Sequence, residues 1–164
     1  MRGLIQYEVN VKTFIAVAEE KYMIREAKKQ DIAGLAELMG ELGYPTDFKE
    51  MEYRMSNILS NNNYQTYVYE EDGKLLGMIG MILCYRFERN ESYIRIVAFV
   101  VHSELRGKGI GSLLLEEAEN WAKKQGANMM TLNSGNRTER NDAHQYYFRR
   151  GFEGKATGFY KQLK

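Results

Sequence analysis

Arg106-Gly107-Lys108-Gly109-Ile110-Gly111 sets two cations and three glycines between an apolar run, Ile94 to Val101, and a helix-like stretch that opens at Ser112. Strand, glycine turn and helix start together make a site for a phosphorylated ligand. Glycine lets the backbone approach closely and take dihedrals closed to other residues. The first N–H groups of a helix have no internal partner, and the helix dipole adds positive potential, so a pyrophosphate is a natural guest. Two common phosphate loops fail. The dinucleotide fingerprint counted from Gly107 needs its third glycine where Ser112 stands, and the P-loop pattern G-x-x-x-x-G-K-[ST] occurs nowhere in the chain. What fits is [QR]-x-x-G-x-[GA], with Arg106, Gly109 and Gly111 in place.

A second motif follows downstream. Asn128 to Leu132 reads as a strand, and then comes Arg140-Asn141-Asp142-Ala143-His144-Gln145-Tyr146-Tyr147-Phe148-Arg149-Arg150-Gly151-Phe152. With both motifs in this order, the sequence resembles the GNAT family of acetyl-CoA-dependent N-acetyltransferases. The second segment is similar to the family's [NR]-x-x-A-x-x-F-Y-x-x-x-G-F, with Tyr146 at the Phe position and Tyr147 at the Tyr position. The resemblance runs from Tyr22 to Lys164 and defines one acetyltransferase domain over 22–164. Residues 1–21 are an N-terminal extension outside it.

The resemblance implies acetyl transfer from acetyl-CoA to a primary amine, small-molecule or peptide, by direct attack in a ternary complex. The reaction needs the thioester held beside the acceptor, a proton taken from the ammonium, donors to the carbonyl oxyanion and a proton for the leaving thiolate. In the family the central strand splays from its neighbour. Phe99, Val100 and Val101 match those positions, so their backbone would bind the pantetheine amides, and an N–H of Phe99 or Val100 would polarise the thioester carbonyl. A β-bulge is the usual way to free such groups. The loop Arg106, Gly107, Lys108, Gly109, Ile110, Gly111 and the helix start at Ser112 would take the pyrophosphate, mostly through backbone N–H groups.

Tyr147 is the candidate general acid, because a phenol keeps its proton at neutral pH; Tyr146, facing another way, is read as a core aromatic. The base is open. Glu88, Glu91, Tyr93 and Arg95 are candidates by location and are read first as solvated surface. His102 and His144 are read as structural or solvated. In this family two early helices and their loop wall the acceptor pocket. Here that is Gly43 to Asp47 with Glu50 and Tyr53, an aromatic and carboxylate set that suits a cationic amine. A non-catalytic CoA-binding module with a regulatory or interaction role is the alternative function. A nucleotide-binding protein of another fold is a third.

Composition sets the bounds. A chain of 164 residues with 44% hydrophobic residues and a net charge of +1 fits one globular domain without a basic field for nucleic acid. Cys84 is the only cysteine, read as a buried filler; it fits a reducing cytosol and hence a cytoplasmic protein. Two histidines and one cysteine offer no metal cluster, and no apolar run reaches the roughly 20 residues of a membrane span.

The elements that must position these groups follow from periodicity. Ile5, Tyr7, Val9 and Val11 alternate with polar residues as a strand, read as an extra edge, a homodimer contact or a leader; Met23 is an alternative start. Met23 to Ala27 is the first core strand. Asp31 caps a helix whose Ile32, Leu35, Leu38, Met39 and Leu42 share a face, and Gly43 and Pro45 end it. Asp47 and Glu50 form a capping box for a second helix with Met51, Met55, Ile58 and Leu59 inward. Tyr64 to Glu70 and Lys74 to Tyr85 form a hairpin about Glu71-Asp72-Gly73. Tyr93 to Val101 is the central strand, covered on both faces. The next helix carries Ile110, Leu114, Ala118 and Trp121 on one stripe, with Glu119 and Lys123 spaced to pair and Gly126 closing it. A last helix ends at Gly151, and Phe152 to Leu163 gives one or two closing strands. The expected fold is α/β: a GNAT-like, central, mostly antiparallel twisted sheet with helices on both faces.

Overall fold

The computed structural model describes residues 21–136 and 138–164. The predicted strand Ile5 to Val11, with the pairing edge it offers, lies outside the described residues. The elements are β1 (Tyr22–Glu26), α1 (Ile32–Leu42), α2 (Phe48–Leu59), β2 (Tyr64–Glu71), β3 (Lys74–Cys84), β4 (Tyr93–Val101), α3 (Ile110–Lys124), β5 (Met130–Leu132) and α4 (Asn141–Arg149). The strands form one sheet in the order β1-β2-β3-β4-β5. All neighbours run antiparallel except β4 and β5, which run parallel.

Each face of the sheet buries its own cluster. Ile79, Met81, Ile94 and Ile96 pack under Leu114, Leu115 and Trp121 of α3. Val68, Met78 and Val100 pack under Leu35 and Leu38 of α1 and Met51 and Met55 of α2. The mixed sheet with helices on both faces thus stands as expected. The α3 stripe is fully inward, and it is wider than the four predicted residues by Leu115 and Ala122. Gly77 lets α3 lie close on β3: a Cβ there would lie 2.9 Å from Leu114 Cδ1 and 3.2 Å from Val100 O.

Local chemistry sets the element ends. Tyr44 N–H donates to Met39 O and Gly43 N–H to Gly40 O, a Schellman end with Gly43 at φ 98°. Asp72 and Gly73, both at positive φ, form the two-residue turn between β2 and β3. Asp47 accepts from Glu50 N–H at 2.9 Å, but the Glu50 carboxylate bonds Thr46 instead of closing the box.

Other expectations need correction. Asp31 makes no side-chain cap to α1; its buried carboxylate takes both terminal nitrogens of Arg25, at 2.7 and 2.8 Å, and the Lys28 N–H. A fixed guanidinium offers the carboxylate two parallel bonds between opposite charges, where a cap offers one bond from an uncharged N–H. Leu59 is exposed, because α2 ends there with its buried stripe at Met51 and Met55. Glu119, half-buried, and Lys123, exposed, form no ion pair among the described residues, as a long side chain at the surface gains little from holding one geometry. The closing strands over Phe152 to Leu163 do not form, and Phe159 and Leu163 stand exposed. Gly154 and Gly158 weaken that segment as a strand, and the adjacent Phe159 and Tyr160 break its alternation.

Candidate active site

The site begins with an irregularity in β4. Met81 of β3 pairs with Ile96, and the next residue back, Gly80, pairs with Ala98. Val97 is therefore an extra residue, a β-bulge, and it reverses the parity of the strand. Before it, Ile94 and Ile96 face α3. After it, Phe99 and Val101 face the α3 side, and Ala98 and Val100 turn to α1 and α2. The pairing of β4 with β5 stops at Ile96 and Leu132. From Val97 to Val101 that edge of β4 has no strand beside it, and a cleft of about 160 Å³ opens there, bordered by Val97, Phe99 and Leu132.

The glycine loop continues directly from this edge. His102 N–H donates to Leu76 O at 2.9 Å, and a 3₁₀ turn over Ser103–Leu105 follows. Glu41 of α1 holds that turn by accepting from Ser103 N–H at 3.1 Å, with its other oxygen 3.5 Å from His102. That backbone bond draws the Glu41 carboxyl below its usual range. Gly107 and Gly109 have φ of 79° and 90°, and open space surrounds both. Conformation, not room, is what demands glycine there.

Gly109 opens α3 without a side-chain cap and with no acidic residue in the first turn. The first internal bond runs from Leu113 N–H to Gly109 O at 3.1 Å. The N–H groups of Ile110, Gly111 and Ser112 precede it and are the free donors of the helix. Ile110 itself is a core anchor, so only its backbone is available to a ligand, and the same holds for Val100. Arg106 Nε folds back onto Val101 O at 3.2 Å, tying the loop to the strand it leaves, while Lys108 is exposed.

From the other side α4 brings in Tyr147, which borders the cleft with Arg140, Asn133 and Ser134. Tyr147 stacks edge-on with Tyr146 and Phe152. Burial pushes its phenol above the ordinary value, with Arg140 opposing and Tyr146 adding to the shift. Tyr146 packs into the α3 cluster, and its hydroxyl is buried without a hydrogen-bond partner. That hydroxyl would lie 3.6 Å from a Cβ placed on Gly111, beside the free donors of α3.

Sequence reading placed the glycine loop, the end of β4 and Tyr147, and the fold brings all three together. It missed Asn133 and Ser134. These follow a three-residue strand in a loop that matches no pattern, so nothing in the spacing marks them. Asn133, with its amide oxygen turned to the donors, accepts from Arg95 Nη2 at 3.0 Å and from the Tyr160 hydroxyl at 3.3 Å. The predicted carboxylates are elsewhere. Asp47 caps α2, Glu50 bonds Thr46, Glu88 lies 3.9 Å from Arg86, and none of them borders the cleft; Tyr44 does, while Tyr53 is exposed. Cys84 is half-buried opposite Tyr93 of β4. The described residues hold no cluster of three potential metal ligands and no helix long and apolar enough to cross a membrane.

A bulged strand beside a glycine loop and a helix start, with a tyrosine helix across the gap, is an arrangement that suits an acyltransferase. The model of the acetyltransferase (GNAT) family matches residues 30–152, and the chain belongs to that family. Among solved structures it is similar to a GNAT family acetyltransferase of Staphylococcus aureus, at 34% identity and a TM-score of 0.75 over 87% of this chain and 99% of that one. Among curated proteins it is 26% identical to the uncharacterized N-acetyltransferase YhdJ of Bacillus subtilis, over 77% of this chain and 87% of the relative. It is 27% identical to the aminoalkylphosphonate N-acetyltransferase of Salmonella typhimurium, over 86% of this chain and the full length of the relative.

Proposed function

We propose that the protein transfers an acetyl group from acetyl-CoA to a primary amine, in a ternary complex without an acyl-enzyme. The observation that carries this reading is the continuity of the bulge at Val97, the unpaired edge Val97 to Val101 and the glycine loop with its free helix donors. Two features fit the co-substrate: positive-φ glycines leave the Gly107 to Ser112 backbone open, and the Tyr146 hydroxyl is buried unpaired beside it. A buried hydroxyl without a partner costs about 1–3 kcal/mol, which a ligand acceptor would recover. The Ile110, Gly111 and Ser112 N–H groups would hold the diphosphate, and the free edge of β4 the pantetheine amides. Acetyl-CoA supplies the activated acyl group.

Tyr147 would give a proton to the departing thiolate, and its raised pKa keeps it protonated across the neutral range. The acceptor would enter between Tyr44 and Arg140. Arg140 has no carboxylate partner among the described residues, which suits an amine that also carries an oxyanion. The acceptor class in the name of the Salmonella relative has that chemistry. Thiol release from acetyl-CoA with a panel of amines tests the reading. Turnover is expected with a primary amine; tight CoA binding without turnover would favour a non-catalytic module, and no CoA binding at all would end the reading.

A further inference from the structure

We infer that Ser134 and His144 form the path by which the acceptor ammonium loses its proton, an inference that rests on the acetyltransferase reading above. An alkylamine carries its proton at neutral pH, and only the free base has the lone pair that attacks. Among the described residues no carboxylate borders the cleft. Ser134 does border it, and its Oγ lies 3.1 Å from His144 Nε2. His144 precedes Tyr147 by three residues on α4, so the two side chains share a face of the helix. One helix thus presents a proton acceptor, through Ser134, and a proton donor, Tyr147, to the same cleft. Among the described residues, the other charged group on that face is Arg140, and the facing loop brings the uncharged Asn133 and Ser134 to the cleft.

The step balances. The ammonium gives a proton to Ser134 Oγ as the Ser134 hydroxyl proton passes to His144 Nε2, leaving a neutral amine, an intact serine and an imidazolium. One N–H and one O–H bond break, and one O–H and one N–H bond form. The imidazolium then releases its proton to water. The path uses the neutral tautomer with hydrogen on Nδ1, so that Nε2 accepts from the serine. Ser134 touches the acceptor; His144 acts through it.

A pair of acceptors tests this in the full chain: the amine found by thiol release, and its β,β,β-trifluorinated analogue, which is mostly unprotonated at neutral pH and needs no base before it attacks. His144→Gln and Ser134→Ala should each lower kcat for the ordinary amine about a hundredfold, within the range of general-base catalysis, and change the fluorinated amine less than about threefold. Acetyl-CoA affinity by calorimetry should stay the same. Ser134→Ala leaves α4 intact, so it reports even if His144→Gln fails to fold. Equal losses for the two amines, or no loss for either, would overturn the proton path and leave the acetyltransferase reading standing. Absence of turnover by the unaltered protein with every amine would remove the activity, and the path with it.

Discussion

Tyr147 is the residue to which the proposed chemistry assigns the acid. Its neighbours are Tyr146 and Phe152, and burial holds its phenol neutral above the pH at which a free tyrosine ionises, near 10. Tyr147→Phe removes the proton and little else. We expect kcat to fall about a hundredfold with acetyl-CoA affinity nearly unchanged, measured by thiol release and calorimetry. The raised pKa also fixes a direction with pH: the acid form persists through neutrality, so loss of rate from Tyr147 ionisation belongs above its ordinary value. Tyr147 was legible in the sequence because it sits in a patterned segment with Ala143 and Gly151. Ser134 was not, because its loop has no period and its partner His144 is ten residues on, across a gap that only the fold closes.

The bulge in β4 is the element that opens the cleft of the proposed site. A single extra residue, Val97, turns Phe99 and Val101 to the α3 side and ends the pairing with β5. The strand itself, Tyr93 to Val101, was readable from its apolar run. The position of the bulge was not, since an apolar run on both faces hides the change of parity. The loop that follows was readable because glycine is demanded by dihedral, and Gly109 at φ 90° shows why. Gly109→Ala forces a side chain into that conformation, at a cost of about 1–2 kcal/mol. It should weaken CoA binding about tenfold and lower the melting temperature by a few degrees; unchanged affinity would show that the loop does not contact the co-substrate. The closing strands misled because Phe152 to Leu163 carries apolar residues without alternation, and here composition outran pattern.

At the scale of the molecule, two helical layers clamp a sheet whose first strand is pinned by Arg25. Its guanidinium joins Asp31, before α1, to Glu70 of β2. Arg25 holds the Asp31 carboxyl below the ordinary carboxylate value despite burial. Stability from this group is therefore complete above that ordinary value, near 4, and is lost as pH falls through the lower folded value. Asp31→Ala should cost about 1–3 kcal/mol in urea unfolding at pH 7, because it removes two charge-assisted bonds of Arg25 and leaves Glu70 as its carboxylate partner, and the difference should shrink in acid. None of this is visible in periodicity, because Asp31 meets Arg25 from the turn beyond β1 and Glu70 meets it only across the β1–β2 pairing. The same architecture aims the open edge of β4 at the start of α3, and that juncture is where we propose that acetyl-CoA binds. Amide NMR during titration with CoA tests it most directly. The N–H signals of Gly109, Ile110, Gly111 and Ser112, together with those of Phe99 to Val101, should shift saturably with added CoA. Saturable shifts confined to other residues, with these seven unmoved, would contradict the account.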